Sequence, residues 1–397
     1  MGKDLNGKEL GKGYSQRKDG RYEARATING VKIDIYDLTL SKLKKQFEIE
    51  KAKVLRDEKN IRPNVTFSDW FDEWFEKCKA PQLKNEISKH KYRQKVKNTY
   101  DKILGLKCME DISNINIQDA TNELVEMGYT DRTIKEALAV VSQCMEIAIV
   151  NHIIRANPCT GVKIYDANIR PERRVLTIEE QNMFLKEVEG EYYYEVYAIL
   201  LCTGMRIGEF SGLWWSDVDF ENKCIHINRS MTTAYINGKK IEELSTPKTS
   251  NSYRTIPFFG DTEKYFREWK KKQDYYKEKL GDRWRARPEL GDLVFTSTVG
   301  SPVTRYVIVH DIKKVEQNLN LKEVYLAAQE HREPHLLEHI HPHAFRHTFA
   351  TRCFEKNLNP LFIQSIMGHS NYSTTVSYTH VLDDIRQKEI SKVGSFL

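Results

Sequence analysis

Four short segments of this chain concentrate arginine, lysine, histidine and tyrosine residues that could act together on an anionic group. They are residues 203–209, 246–257, 341–351 and 367–381. The guanidiniums of Arg206 and Arg346 can each hold two phosphate oxygens in a fixed geometry, and they never deprotonate. Histidine and lysine can move protons, whereas a tyrosine phenol, with a pKa of about 10, needs a base before it can attack. These residue types suit the cleavage of a phosphodiester without a metal ion.

Taken together, the four segments resemble the tyrosine recombinase, or phage integrase, family. The signature of that family is an Arg in a Thr-Gly-X-Arg-X-Gly-Glu turn, a hairpin Lys, a His-X-X-Arg pair, a later His, and a Tyr nine residues after that His. All six positions match in order and spacing, and they are Arg206, Lys248, His343, Arg346, His369 and Tyr378. Among subgroups, the sequence is most similar to integrases of conjugative transposons and related phages of Gram-positive bacteria.

The resemblance implies a role for each matched side chain. Arg206 and Arg346 would stabilise the charge of a pentavalent phosphorane. Tyr378 would attack phosphorus, giving a 3′-phosphotyrosine and a free 5′-hydroxyl. His343 is the expected general base, and Lys248 is the expected acid that protonates the leaving 5′-oxygen.

Two further residues and the partners follow from the same resemblance. His369 would hydrogen-bond the scissile phosphate, and Glu209 would orient the active-site groups. The covalent intermediate conserves the phosphodiester energy, so we expect no ATP, metal or other cofactor. The expected partners are double-stranded DNA and other copies of the chain, in a homotetramer that exchanges strands through a Holliday junction. Relatives commonly use an accessory excisionase as well, but the sequence does not indicate whether this chain needs one.

Other interpretations stay open at individual positions. Arg206 could cap the C-terminus of a helix, and the His343–Arg346 pair could be purely structural. Lys248 could be an ordinary loop lysine, and Lys239 and Lys240 compete with it. The family spacing favours His343 over His347 and Tyr378 over Tyr372.

Two other classes of protein compete with a recombinase. His335-Leu-Leu-Glu338-His339 matches the His-X-X-Glu-His pattern of inverted zinc peptidases, in which two imidazoles one helical turn apart bind zinc. Pro334 and Pro342 leave little room for such a helix, and no recognised downstream pattern supplies a further acidic ligand. The third class is a DNA-binding regulator without catalysis. All six signature positions hold competent residues, which favours the enzyme.

Composition limits the possible classes further. The 397 residues are 40% apolar and 30% charged, which is enough for two or three folded domains. The longest apolar runs are far below the ~18–20 residues that span a bilayer. The N-terminus has no secretory apolar stretch, and the seven cysteines are scattered without a CxxC pair. We expect a cytoplasmic protein with reduced thiols and no membrane segment.

The net charge of +6 is unevenly distributed along the chain. Residues 1–62 hold 16 basic and 10 acidic residues, which accounts for the whole excess. A second excess lies at 84–107, with eight basic residues against two acidic ones. Such concentrations suit a polyanion such as nucleic acid, although a solvated lysine-rich surface is the other interpretation.

The N-terminal domain is predicted over residues 1–62. Strand-like runs at 14–17, 22–28 and 31–36 are separated by the hairpin dipeptides Asp19-Gly20 and Asn29-Gly30. A helix from Thr39 to about Lys59 would follow. This small α+β domain leaves four basic residues on the free face of a three-stranded sheet, which are Arg17, Lys18, Arg21 and Arg25. Such a sheet can enter the DNA major groove, and the resemblance makes this the arm-type DNA-binding domain.

An all-α domain is predicted over residues 64–165, the core-type DNA-binding domain of the family. It begins with an aromatic stripe that we expect in the core, formed by Phe67, Trp70, Phe71, Trp74 and Phe75. Further helices are predicted near 88–104, 116–127 and 131–151. The basic helix at 88–104 would place Lys91, Lys95 and Lys102 on about one face, where we expect them to contact DNA phosphates.

The catalytic domain is predicted over residues 174–397, mainly α with a small antiparallel sheet. A capping box at Thr177 and Glu180 is expected to begin its first helix. Further helices are expected at 193–202, from Ile207 onward and at 261–280. Strands are expected at 224–230 and 252–257, with a loop at 231–251. The remainder is predicted to be mainly helical, broken at Pro342, Pro360 and Gly368. The resemblance implies a clamp of two domains around duplex DNA, with residues 383–396 packed on a neighbouring protomer.

Overall fold

The chain divides into two compact units, residues 1–169 and 170–397. The computed structural model describes residues 2–28, 31–55, 65–165, 173–246 and 253–369. Lys248, Tyr372, Tyr378 and the segment 383–396 lie outside the described residues. The first unit contains two apolar cores, one in the N-terminal sheet and helix and one in the helical part, and the second unit has a core of its own.

The first unit begins with the predicted sheet and helix. Strands β1 (Gly2–Lys3) and β2 (Glu9–Gly11) pair with each other, which the sequence did not predict. Strands β3 (Tyr14–Gln16), β4 (Tyr22–Ile28) and β5 (Val31–Asp37) form an antiparallel sheet in that order, followed by α1 (Leu40–Leu55). One face of α1 buries its apolar side chains against the sheet, and this core consists of Ala24, Ile33, Leu43, Phe47 and Val54.

The rest of the first unit is helical, as predicted. Its helices are α2 (Phe67–Trp74), α3 (Glu86–Lys97), α4 (Tyr100–Leu104), α5 (Asn114–Glu126) and α6 (Asp131–Val150). Thr66 caps α2 by accepting a hydrogen bond from the Asp69 backbone N–H. The five aromatic residues of the stripe are at most 4% exposed, so their assignment to the core is confirmed.

One predicted helix of this unit is wrong in extent. The helix expected at 88–104 ends at Lys97, and α4 starts at Tyr100. Thr99 leaves helical geometry and donates its hydroxyl proton to the Lys95 carbonyl at 2.5 Å. Asn and Thr are weak helix formers that compete for backbone groups in this way. Lys102 therefore lies on a different helix from Lys91 and Lys95.

The second unit contains seven α-helices among its described residues. They are α7 (Ile178–Glu187), α8 (Tyr194–Thr203), α9 (Ile207–Ser211), α10 (Thr262–Leu280), α11 (Arg305–Gln329), α12 (Pro342–Glu355) and α13 (Pro360–Met367). The capping box of Thr177 and Glu180 is present at the start of α7. Pro342 and Pro360 begin helices rather than interrupt them, because a first-turn proline loses no helical hydrogen bond.

Two small sheets accompany these helices. Strands β6 (Val218–Asp219), β7 (Cys224–Ile227) and β10 (Arg254–Pro257) form one antiparallel sheet in the order β10-β7-β6. Strands β8 (Ser230–Ile236) and β9 (Lys239–Ser245) form a separate hairpin, so the loop predicted at 231–251 is wrong up to Ser245. Asn237 and Gly238 turn the hairpin with φ of 51° and 75°, the left-handed geometry that this dipeptide favours.

The predictions about membrane helices and cysteines can be compared with the described residues. Across the described ranges, no helix combines the length and apolar character needed to cross a membrane. All seven cysteines are free, and four of them are buried, namely Cys144, Cys159, Cys224 and Cys353.

Candidate active site

A tight turn between α8 and α9 sets the position of Arg206. Gly204 ends α8 in the left-handed region, with φ 58° and ψ 21°. A Cβ on this residue would lie 2.3 Å from the Phe349 ring, so both backbone angle and packing require glycine. Arg206 then caps the N-terminus of α9 with an extended backbone. The Thr-Gly-X-Arg spacing thus directs the arginine away from the end of α8.

Glu209 is the anionic centre of the site. It is 5% exposed, and it accepts hydrogen bonds from the Arg206 backbone N–H at 2.8 Å and the Arg206 guanidinium at 2.7 Å. Arg254 donates to both carboxylate oxygens at 2.8 Å. Burial alone would raise the pKa of Glu209, but hydrogen bonds and positive charge, mainly from Arg254, lower it to about 2. The carboxylate is therefore ionised at neutral pH.

Arg346 and His343 lie on the first turns of α12, whose other face is buried through Ala344 and Phe345. Arg346 is 4% exposed and donates to the Gly204 carbonyl at 2.7 Å. His343 is accessible on the surface of the helix. Partial desolvation, followed by the positive charge of Arg346, lowers the pKa of His343. The imidazole is therefore neutral at pH 7, the state a general base requires.

His369 follows Gly368, which ends α13 in the left-handed conformation. Its Nε2 lies 2.9 Å from a terminal nitrogen of Arg346, and because guanidinium only donates, the ring accepts this hydrogen bond. Burial and the nearby arginines, Arg346 first among them, lower the pKa of His369 to about 3. The ring is neutral, and because Nε2 accepts, its proton is on Nδ1.

The structure brings four of the six signature residues and Glu209 into one region. Arg206 donates to the Gly368 carbonyl at 2.6 Å, Arg346 contacts His369, and His343 lies one helical turn before Arg346. Lys248 and Tyr378 lie outside the described residues, so their placement stays a prediction.

Arg254 is a residue of this cluster that the sequence analysis missed. Its side chain is 5% exposed, and it joins β10 to Glu209 of α9. Arg254 stands inside one of the four segments singled out by composition, six residues after Lys248. No local spacing links it to Glu209, which is 45 residues away.

The alternatives left open at single positions have different outcomes. The capping contact considered for Arg206 exists, since Gly368 ends α13, but the same guanidinium also binds Glu209 and is 34% exposed. Lys240, a rival of Lys248, pairs with Glu242 at 2.6 Å. The ring of His347 lies 6.3 Å from that of His343, and burial foremost lowers the pKa of His347 to about 4.

The zinc-peptidase interpretation is not supported. Residues 333–341 form no helix, so His335 and His339 are not placed one turn apart. Glu338 lies 3.5 Å from Arg174, and His339 lies 3.2 Å from Glu316. Within the described ranges, the one group of three close candidate metal ligands is elsewhere, on β6 and β7, and consists of Asp219, Cys224 and His226.

The basic residues predicted on the N-terminal sheet lie at its exposed side. Arg25 is 62% exposed on the face opposite α1, and it pairs with Glu23 at 2.6 Å and Asp34 at 3.1 Å. Arg21 pairs with Asp19 at 2.8 Å. The guanidiniums of Arg17 and Arg21 lie 5.2 and 5.9 Å from the centre of the Tyr36 ring, and Lys18 is exposed in the adjoining turn.

The three lysines predicted to contact phosphates in the helical part do not share one helix face. Lys91 and Lys95 lie one turn apart on α3, and both are exposed. Lys95 pairs with Glu136 of α6 at 2.7 Å. Lys102 is exposed on α4. The break at Thr99 corrects the predicted geometry, and DNA contact by these residues stays a prediction.

Comparison with known proteins identifies the class. Residues 174–384 match the phage integrase family, and residues 66–125 match the N-terminal SAM-like domain of phage integrases. The chain therefore belongs to the phage integrase family and is a tyrosine recombinase, a site-specific DNA recombinase.

Relatives of known name cover nearly the whole chain. The transposase from transposon Tn916 of Enterococcus faecalis is 27% identical over 412 residues, covering 99% of this chain and 96% of the relative. A XerC-like tyrosine recombinase of Caldanaerobacter subterraneus subsp. tengcongensis is 27% identical over 401 residues, covering 96% and 91%.

Solved structures share the fold. The Tn1549 transposon integrase in complex with a circular intermediate DNA has a TM-score of 0.63 at 23% identity, covering 83% of this chain and all of the other. A lambda integrase tetramer bound to a Holliday junction has a TM-score of 0.51 at 19% identity, covering 94% and 95%. The tyrosine recombinase fold predicted from the sequence is confirmed.

Proposed function

We propose that this recombinase is the integrase of a mobile element. It cuts and rejoins DNA through a 3′-phosphotyrosine on Tyr378 and a Holliday junction, and so integrates and excises the element. The observation that carries the proposal is the convergence of Arg206 and Arg346 beside His369 at the end of α13. These residues can bind the non-bridging oxygens of one phosphate from fixed positions.

The charge of the cluster supports this chemistry. The guanidiniums of Arg206, Arg254 and Arg346 surround the carboxylate of Glu209. Three positive charges and one negative charge give the cluster a net charge of +2. The lowered pKa values of His343 and His369 leave both rings neutral at pH 7. The excess positive charge favours a phosphate, and favours the more highly charged phosphorane even more.

The steps of cleavage follow from the assigned roles. His343 takes the phenolic proton as the Tyr378 oxygen bonds to phosphorus. The bond from phosphorus to the 5′-oxygen breaks, and Lys248 donates a proton to that oxygen. Religation reverses both proton transfers. The Arg206 and Arg346 guanidiniums hold the phosphate oxygens throughout.

The partners and the biological setting are part of the proposal. The similarity to transposases from Tn916 and to the Tn1549 integrase supports a conjugative element as the DNA substrate. The lambda integrase tetramer on a Holliday junction supports a tetramer of this chain on DNA. An excisionase would set direction, and the reaction would take place in the cytoplasm.

We propose three DNA-binding parts for the chain. Residues 1–62 would bind arm sites through Arg17, Lys18, Arg21 and Arg25. Residues 64–165, with Lys91, Lys95 and Lys102, would form a clamp around the core site together with the catalytic residues 174–397. The N-terminal sheet and the helical part have separate apolar cores, which supports the proposed boundary between residues 1–62 and 64–165.

Recombination in vitro tests the proposal. Purified protein is incubated in EDTA with a plasmid carrying the joined ends of the element and a target site. We expect recombinant products, and we expect none with Tyr378→Phe although that variant still binds the DNA. If the wild-type protein binds these sites but never yields a recombinant product or a covalent adduct, it is the DNA-binding regulator instead.

A further inference from the structure

Three arginines meet at the C-terminal end of α13. The last carbonyls of a helix have no partner within it, and they carry a partial negative charge. Here three consecutive carbonyls each accept a guanidinium: Ile366 from Arg254 at 2.5 Å, Met367 from Arg346 at 2.5 Å, and Gly368 from Arg206 at 2.6 Å. The donors come from β10, α12 and the start of α9. This helix end therefore orders the arginine cluster immediately before His369.

Arg254 differs from the other two arginines in how it is used. All three guanidinium nitrogens of Arg254 donate within the protein, two to Glu209 and one to Ile366. Its side chain is 5% exposed, whereas that of Arg206 is 34% exposed. Arg346 is as buried as Arg254, at 4% exposed, but it contacts the His369 ring directly, whereas Arg254 bonds to Glu209 and the last turn of α13. Arg254 is thus placed to act through Glu209 and α13.

We propose that Arg254 is a positioning residue of the recombination site. By joining Glu209 to the last turn of α13, it fixes the Arg206 guanidinium and the His369 ring in the arrangement that receives the scissile phosphate. This inference rests on the proposed function and adds a residue to it.

The shape of the side chain explains why arginine is needed. One planar guanidinium reaches both oxygens of Glu209 and the Ile366 carbonyl at once, which a lysine ammonium on one atom cannot do with the same geometry. Within the described residues, Arg206 is the other side chain bonded to Glu209. Without Arg254, the buried carboxylate would keep only its bonds to Arg206, so both side chains would be less firmly held, and α13 would lose one of its three bonds to arginine.

Single-turnover cleavage of a nicked suicide substrate tests the inference in Arg254→Gln and Arg254→Lys. At saturating DNA, we expect the rate constant to fall about 100-fold in the glutamine variant, as for a small misplacement of catalytic groups, and less in the lysine variant. The DNA concentration for half-saturation should stay within about twofold, since no phosphate contact is removed. Arg267→Gln is the matched control, because Arg267 is 54% exposed and forms an ion pair with Glu263 on the same helix, α10.

The pH profile separates positioning from general loss of structure. The charged groups facing Glu209 are Arg206, Arg254 of β10 and Arg346 of α12. Burial raises the pKa of Glu209 and the charge of Arg254 lowers it, so removing Arg254 raises this pKa. Glu209 is then protonated on acidification and no longer holds Arg206. We expect the acid limb of cleavage to move to higher pH in Arg254→Gln and to return to the wild-type position in Glu209→Gln/Arg254→Gln.

The outcomes are distinguishable. If the wild-type chain forms no adduct, the proposed function itself fails. If the wild-type chain forms the adduct and the Arg254 variants cleave like wild type, the inference is overturned. It is also overturned if the variants lose activity only in proportion to their loss of thermal stability and the pH profile does not move. Should Arg254→Gln fail to fold, the lysine variant carries the same comparison.

Discussion

Arginine side chains have two different environments in the two units of this chain. On the N-terminal sheet, Arg21 and Arg25 are half or more exposed. Arg21 pairs with Asp19, and Arg25 pairs with the exposed Asp34 and the largely buried Glu23. In the second unit, Arg254 and Arg346 are buried, and their partners are helix-end carbonyls, Glu209 and His369. The residue type is the same, but the freedom of the side chain differs.

This difference determines which task each set can perform. Exposed ion pairs are weakened by water and salt, so a DNA phosphate can replace a carboxylate at little cost. Buried guanidiniums keep one position, because leaving a partner unpaired in the interior is costly. Fixed charges can favour a transition state over a ground state, whereas exchangeable ones contribute to affinity for DNA.

Removing a buried arginine should have the largest effect. In Arg346→Ala, the carbonyls of Gly204 and Met367 lose their guanidinium and the phosphate loses a fixed charge. We expect cleavage of a suicide substrate to fall about 1,000-fold or more, as when a preorganised donor is removed. Arg346→Lys, which retains the charge, should still lose most activity. Near wild-type cleavage in both variants would show that the buried cluster is not the phosphate site.

The turn that sets the position of Arg206 should be the next most sensitive feature. Gly204→Ala forces a Cβ to 2.3 Å from the Phe349 ring at a left-handed φ, and we expect the free energy of unfolding to drop by about 2–4 kcal/mol, with cleavage reduced. Gly190→Ala is the control, because Gly190 has φ 80° with open space around its Cβ position. Urea titration should show a clearly smaller loss there. Equal losses would mean that the packing against Phe349 is unimportant.

The pH dependence of cleavage should follow His343. Its pKa is lowered by desolvation and by Arg346, so the neutral base persists below the ordinary histidine pKa of about 6.5. Cleavage should be lost as pH falls through this lowered value, approaching tenfold per pH unit. Adduct formation measured from pH 5 to 8 checks this, with DNA binding followed in parallel. A midpoint above 6.5 would contradict the electrostatics of the buried cluster.

The exposed set should give the smallest effect. Arg25→Ala should weaken binding to arm-site DNA several-fold and reduce the slope of log affinity against log salt by about one, without changing cleavage of an isolated core site. Lys53→Ala on α1 is the control, since Lys53 is also ion-paired but lies on the helix that covers the other sheet face. Fluorescence anisotropy at several salt concentrations measures both. Equal effects from the two variants would contradict the proposal that the sheet face carrying Arg25 binds DNA.

Local signals in the sequence predicted the parts of the fold that depend on neighbouring residues. Asp19-Gly20, the capping box of Thr177 and Glu180, and the Gly204 turn act within a few residues. The aromatic stripe of α2 was also recognisable, because its spacing alone defines a buried face.

The errors arose where distant or competing contacts decide the outcome. The helix predicted at 88–104 breaks because Thr99 bonds to the Lys95 carbonyl while Tyr100 is buried. The Asn237-Gly238 hairpin carried the same signal as Asp19-Gly20 and could have been predicted. Arg254 could not, because its pairing with Glu209 exists only once β10 lies beside α9.

The most direct test of the central claim is the identity of the residue that becomes linked to DNA. A suicide substrate carrying a nicked candidate site is incubated with the protein in EDTA, and the adduct is digested and mapped. We predict a DNA-linked peptide containing Tyr378, lost in Tyr378→Phe and retained in Tyr372→Phe. A linkage at Tyr372 or at a serine, or no denaturation-resistant adduct at all, would contradict it.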